Sequence, residues 1–154
     1  MRLSKKADYA LRVLFTLVDE FGHGPQSLTQ LVRRNEVPRK FLEHIMLELK
    51  VQGWVASSAG RHGGYVLAIA PDQITMGQVV RHFDGLMAPI ACVSVDRHEP
   101  CSQAATCRFR GVLLEVRNRT ARYLDSLTLA QVAGHEPVGD HDVFSLQLVA
   151  GDGI

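Results

Sequence analysis

The stretch that most constrains the fold is residues 54–69. Two short β-prone runs, Trp54 to Ser58 and Tyr65 to Ile69, flank Ala59-Gly60-Arg61-His62-Gly63-Gly64. Glycines there supply the positive φ angles of a hairpin turn, so the pattern predicts a two-stranded wing. Three helical patterns precede it. Ser4 can cap a first helix with apolar residues at Ala7, Ala10, Leu11, Leu14, Leu17, Val18 and Phe21, ended by Gly22, Gly24 and Pro25. Ser27 caps a short second helix carrying Leu28, Leu31 and Val32, with Asn35 as its exit residue before Val37. Pro38 opens a third, in which Phe41, Leu42, Ile45, Met46 and Leu49 face inward until Gly53 stops it. Two helices joined by a tight turn make a helix-turn-helix, and the hairpin after them completes the winged-helix order.

Beyond the wing, Thr75 and Gln78 form a capping box for a fourth helix that buries Met76, Val79, Val80 and Phe83. From about Cys107 to Ser126 runs a long pattern with Phe109, Val112, Val116, Thr120, Tyr123 and Leu127 at spacings of three and four. A helix of roughly 20 residues extends about 30 Å, more than so small a domain needs to cover itself. A partner chain is the expected occupant of that stripe, which predicts a symmetric homodimer. Thr128 and Gln131 suggest one more short helix. The fold class is thus mainly α with a small β-hairpin: a winged helix-turn-helix plus a long dimerisation helix. The domains read as 1–84 for DNA binding, 85–107 for a cysteine loop, 108–133 for the dimerisation helix and the short helix, and 134–154 for a C-terminal tail. That tail mixes Gly, Asp and His with an apolar run at Val143 to Val149, and no element is assigned to it.

All three cysteines, Cys92, Cys101 and Cys107, lie in one polar segment between the fourth helix and the long one. Thiolates are soft ligands suited to zinc or iron-sulfur clusters, and a loop without periodic apolar residues has little reason to be ordered unless something binds it. Free thiols, or a disulfide between Cys101 and Cys107, are the alternatives. An odd cysteine count without an export segment argues against a disulfide framework. No apolar run approaches a membrane span, and Met1 leads into a helical pattern rather than a signal segment, so the expected setting is cytoplasmic with no membrane partner.

The net charge of +1 hides an asymmetry. Residues 1–70 hold ten Lys and Arg against six Asp and Glu, whereas residues 71–154 hold seven against ten. The basic half contains the helix-turn-helix, which points to a polyanion partner. With Pro38 opening the recognition helix, its outward positions are Arg39, Lys40, Glu43 and His44, with Lys50 further along. Arg and Lys reach guanine acceptors or phosphates and Glu accepts from cytosine N4, while the helix N-terminus favours phosphate. Arg61 and His62 at the wing tip are placed for a minor groove or the backbone. The expected partner is double-stranded DNA. No phosphate loop, nucleophile-base pair or paired-carboxylate signature is present, so an enzyme is not expected.

The opening Met-Arg-Leu-Ser-Lys-Lys-Ala-Asp-Tyr-Ala-Leu-Arg-Val-Leu, the Phe-Leu-Glu of the third helix, the wing Gly-Arg-His-Gly-Gly-Tyr-Val-Leu and the late Thr-Leu-Ala-Gln-Val together resemble the winged-helix regulators of the IscR and NsrR kind. The resemblance covers about residues 1–133. It implies a dimeric bacterial transcription regulator, often a repressor, in which an iron-sulfur cluster at the cysteine triplet alters the hold on an inverted-repeat operator in response to nitric oxide, redox state or iron-sulfur status. Cys101 and Cys107 keep the family's interval of five intervening residues, whereas eight separate Cys92 from Cys101. The longer loop costs only a few tenths of a kcal/mol in closure. A fourth ligand in the IscR manner would be a His where this chain has Arg110; the NsrR manner would use Asp8 from the partner subunit, with His98 or Glu99 as alternatives within the loop. Two other readings stand beside the cluster regulator. One is a cluster-free regulator with a Cys101–Cys107 thiol switch. The other, of another class, is a small electron carrier or a zinc-stabilised interaction module.

Overall fold

The computed structural model describes residues 1–144. Its elements are α1 (Lys5–Asp19), α2 (Leu28–Asn35), α3 (Arg39–Val51), β1 (Val55–Ser58), β2 (Gly64–Leu67), α4 (Met76–Asp84), α5 (Arg110–Ser126), α6 (Leu129–Ala133) and α7 (Asp140–Phe144), with short 3-10 turns at Pro71–Gln73 and Ala91–Val93. The expected apolar run from Val143 to Val149 falls mostly outside the described residues. Among those described, no helix is long and apolar enough to cross a membrane.

Helix α1 is the hub. Ser4 caps it by accepting from the Ala7 amide at 3.1 Å, and it buries Ala7, Ala10, Leu11, Val13, Leu14, Thr16 and Leu17. That is more than one stripe, because α2, α3, α4, α6 and β2 all pack around it. Phe21, expected inside, is 47 % exposed, because the chain leaves the helix at Glu20, before that position, and turns away through Gly22 just after it. Helix α3 buries Leu42, Ile45, Met46 and Leu49 as expected. Phe41 instead sits at the edge, 39 % exposed, with its ring perpendicular to that of Tyr9 at 5.6 Å.

Helix α2 starts with a complete capping box between Ser27 and Gln30. Its exit differs from expectation: Glu36, not Asn35, takes the left-handed conformation at φ 53°. Asn35 stays in the last turn, 7 % exposed, where its amide donates to the Leu31 carbonyl at 2.9 Å and accepts from the Thr16 hydroxyl at 3.0 Å. Burying a polar pair costs little when each partner satisfies the other, so this bond fixes how α2 sits on α1.

The wing is an antiparallel pair with Val55 opposite Leu67 and Ser58 opposite Gly64. A third segment joins it: Gln26 and Tyr65 exchange both backbone bonds, at 2.9 and 2.8 Å. This approach requires glycine at 64, since a Cβ there would lie 2.5 Å from the Gln26 carbonyl oxygen. The wing is thereby stitched to the entrance of α2.

Helices α4 and α6 both carry the expected capping boxes, Thr75 with Gln78 and Thr128 with Gln131. They are tied to each other where Met76 N donates to Leu127 O and Leu129 N to Ile74 O, each at 2.8 Å. Leu129 is fully buried and belongs to the same apolar core as α1. Helix α5 begins at Arg110, three residues later than the periodicity suggests, and its length of 17 residues corresponds to about 25 Å.

Candidate nucleic-acid interface and cysteine segment

The exposed positions of α3 are polar except Phe41, Leu47 and Val51. Arg39, Lys40, His44 and Lys50 are exposed and Glu43 is half-buried. Arg39 pairs with Glu43 at 3.2 Å and reaches the Thr29 hydroxyl of α2 at 3.4 Å. Lys50 donates to the Ser57 hydroxyl of β1 at 2.7 Å, so both flanks of α3 are tied to their neighbours. Arg61 and His62 stand exposed at the wing tip. Helix and wing together present one basic surface with the N-terminal turn of α3 open to solvent.

On its far side α3 is linked to α1 and α4 through Glu48. Lys6 of α1 pairs with Glu48 at 2.6 Å and stands over the Phe83 ring at 5.6 Å. His82 of α4 packs edge-on against Trp54, with ring centres 5.7 Å apart. Its Nε2 is buried with no hydrogen-bond partner among the described residues, 3.6 Å from Glu48 Oε2.

The cysteine segment leaves α4 at Gly85 and hooks back on it. Asp96 Oδ2 accepts from the Leu86 amide at 2.7 Å, closing a corner. Two arginines of α5 then grip the 3-10 turn around Cys92: Arg110 donates to the Cys92 carbonyl at 3.1 Å and Arg117 to the Val93 carbonyl at 2.6 Å. Val93 beneath them is buried. Order in this segment therefore comes from Asp96, Arg110, Arg117 and Val93. Sequence reasoning missed these because their partners are carbonyls and amides far away in the chain. Cys92 and Cys107 are half-buried and Cys101 is exposed, and all three are free thiols.

Asp8 lies in the first turn of α1 and accepts two hydrogen bonds from Arg12, both at 3.0 Å, which hold the Arg12 guanidinium above its usual range. It lines an open groove of about 1000 Å³ between the start of α1 and residues 86–99. His98 and Glu99 are exposed, and Glu99 also borders this groove.

Helix α5 has no buried residue. It rests on α4 through Leu124, which packs against the core, and the Arg81–Asp125 ion pair at 2.6 Å, and Gly77 makes that crossing possible, since a Cβ there would meet the Asp125 backbone nitrogen at 2.8 Å. The opposite face exposes Phe109 at 62 %, Val112 at 64 % and Tyr123 at 64 %.

A family model described as "Rrf2: Iron-dependent Transcriptional regulator" matches residues 3–135. The chain belongs to the Rrf2 family. Among its relatives is a Rhodobacter capsulatus protein named as an rrf2-like HTH-type transcriptional regulator, 41% identical over 133 residues, or 82% of this chain and 89% of the relative. NsrR of Geobacillus kaustophilus is 30% identical over 132 residues, covering 86% and 89%. The solved structure of CymR, the global cysteine regulator of Bacillus subtilis, superposes with a TM-score of 0.71 at 29% identity, covering 89% of this chain and 99% of that one. The resemblance seen in the motifs is thus correct, and this Rrf2-family protein is a winged-helix transcription regulator rather than an enzyme.

The cysteine triplet fits iron-sulfur chemistry in donor type: three free, soft thiols on one segment. It is not gathered within a single chain. Among the described residues, no group of three or more His, Cys, Asp or Glu side chains stands close enough to hold a metal ion. Holding a cluster would require the three thiols to be brought together, and Cys92 is the one whose backbone α5 anchors.

Proposed function

We propose that this chain is a homodimeric operator-binding regulator whose grip on an inverted repeat is set by the cysteine segment. The carrying observation is the joint surface of α3 and the wing: Lys50 bonded to Ser57 holds the two as one unit. Arg39, Lys40, Glu43, His44 and Lys50 face the major groove, while Arg61 and His62 reach the adjacent minor groove or backbone. The exposed stripe of α5 pairs the two copies and sets the spacing of their recognition helices.

Cys92, Cys101 and Cys107 are assigned as ligands of an iron-sulfur cluster, with Asp8 of the partner subunit as the fourth. When bound, such a cluster supplies iron chemistry sensitive to nitric oxide, oxygen or iron shortage. The chain's own part is mechanical. Arg110 and Arg117 tie the Cys92 turn to the dimer helix, and Asp96 ties the same segment to the exit of α4. Helix α4 in turn touches the recognition helix through His82 and Glu48. A shift of the cysteine segment therefore reaches both the dimer spacing and α3. Use of Asp8 as a ligand requires Arg12 to release its carboxylate.

The reading is tested by the absorption spectrum of protein purified without oxygen, with iron and sulfide assayed on the same sample and operator affinity measured against salt. Expected are visible charge-transfer bands that vanish when any of the three cysteines is replaced, and DNA affinity that falls steeply with salt. A second reading, a thiol switch between Cys101 and Cys107, is favoured by the exposure of Cys101. Protein that stays colourless after reconstitution with iron and sulfide, but releases DNA on oxidation, would select it.

A further inference from the structure

The outer stripe of α3 runs Lys40, Glu43, Leu47, Lys50, at spacings of three, four and three. This face lies opposite the buried Leu42, Ile45, Met46 and Leu49. Three of its four members are charged. Leu47, in their midst, is 59 % exposed and reaches solvent between Glu43 and Lys50. Single exposed apolar residues are common on protein surfaces, so exposure alone says nothing. Position does: Leu47 follows Glu43 by one turn on the face that the wing borders through Lys50 and Ser57.

A leucine ringed by charges is too small a patch for a protein interface, which needs a contiguous apolar centre. Of the other exposed apolar residues of α3, Phe41 packs its ring against Tyr9 and Val51 lies past Lys50 at the helix end. The size matches something else. In the major groove, thymine alone presents a methyl group, and apolar side chains recognise it by contact. Leu47 offers no hydrogen bond to any base edge, so a methyl is the feature of the groove it can read.

We propose that Leu47 is a specificity-determining residue whose side chain packs on the C5-methyl of one thymine in each operator half-site, one helical turn beyond the base met by Glu43. The inference rests on the operator-binding reading above and adds to it a base identity. Leu47→Ala is a suitable variant because the residue lies outside the core, so the fold is retained.

The test begins by selecting a binding duplex from a random-sequence pool with the full chain. Each thymine of the selected site is then replaced by deoxyuridine, which removes the methyl and nothing else, and affinity is read by fluorescence anisotropy at fixed salt. In the unsubstituted protein, one thymine per half-site is expected to be sensitive, with a loss of about four-fold per half-site, the magnitude of one buried methyl. Leu47→Ala should bind the parent duplex with a comparable loss and show no further loss with deoxyuridine at that position. If every deoxyuridine duplex affects the two proteins equally, or if Leu47→Ala leaves all affinities unchanged, the assignment of Leu47 is overturned while operator binding stands. Failure to enrich any duplex would overturn the operator-binding reading itself, and this inference with it.

Discussion

Replacing Val112 by Glu tests the dimer through the face that α5 leaves open. Val112 is 64 % exposed in the single chain, and complete burial of a valine stabilises by about 1.5 kcal/mol. Covering the exposed part against a partner is then worth about 1 kcal/mol. Two-fold symmetry applies each substitution twice, so Val112→Ala should weaken dimerisation by about 2 kcal/mol, or roughly 30-fold in Kd. Val112→Glu adds the cost of desolvating two carboxylates without partners, at least about 1 kcal/mol each, for a total near 1000-fold. The monomer should stay folded, since α5 contributes no buried residue. Sedimentation velocity over a dilution series gives the monomer–dimer equilibrium, and circular dichroism reports the fold. Binding to a full inverted repeat should fall with the dimer, while binding to an isolated half-site should not. An unchanged dimer Kd in Val112→Glu would refute the assignment of this face.

Three further outcomes follow from the geometry. Gly64→Ala should cost about 2 kcal/mol in urea unfolding, because the new Cβ separates Gln26 from Tyr65 and breaks two backbone bonds; an unaltered midpoint would contradict the stitched wing. Asn35→Ala should destabilise by about 1–3 kcal/mol by removing two buried bonds, to the Thr16 hydroxyl and to the Leu31 carbonyl, the hydroxyl keeping its bond to the Arg12 carbonyl at 3.2 Å, whereas Thr16→Val combined with Asn35→Leu should recover part of the loss; strictly additive losses in the denaturation curves would argue against the pair. The Glu115 carboxylate should titrate below the usual glutamate range in carbon-detected NMR, held down first by the hydrogen bond from Arg119 and then by the charge of Arg122. A depressed folded value means that this contribution is present above the unfolded pKa and is lost as pH falls through the folded one. Arg119→Ala should move the titration back up, and an unmoved curve would remove the assigned cause.

Much of the fold could be read along the chain because its signals are local. The caps Ser27, Thr75 and Thr128 find their partners three residues away, and apolar spacing marks the inner faces of α1, α3 and α4. The charged residues of the recognition helix and wing were legible in the same way, as positions left over once the inward ones were taken. The cysteine segment was legible as a cluster of thiols in one stretch. Phe41 and Phe21 show the limit of that reading, since a stripe of period 3.6 locates a face but not where the covering layer ends.

What the sequence by itself determined was therefore the order and type of the elements, the identity of the thiols and an apolar stripe on α5 longer than so small a domain needs. Tertiary structure alone decided the third segment of the wing, the Thr16–Asn35 bond, the hook of Asp96 and the grip of Arg110 and Arg117 on the Cys92 turn. It also decided that the three cysteines form no metal-ready group among the described residues, and that Leu47 stands in the middle of a charged face. The physical reason is range. A hydrogen bond between residues 18 or 24 positions apart, such as those of Arg110 and Arg117, imposes no periodicity on the residues between, so nothing in the chain announces it before the core has brought its ends together.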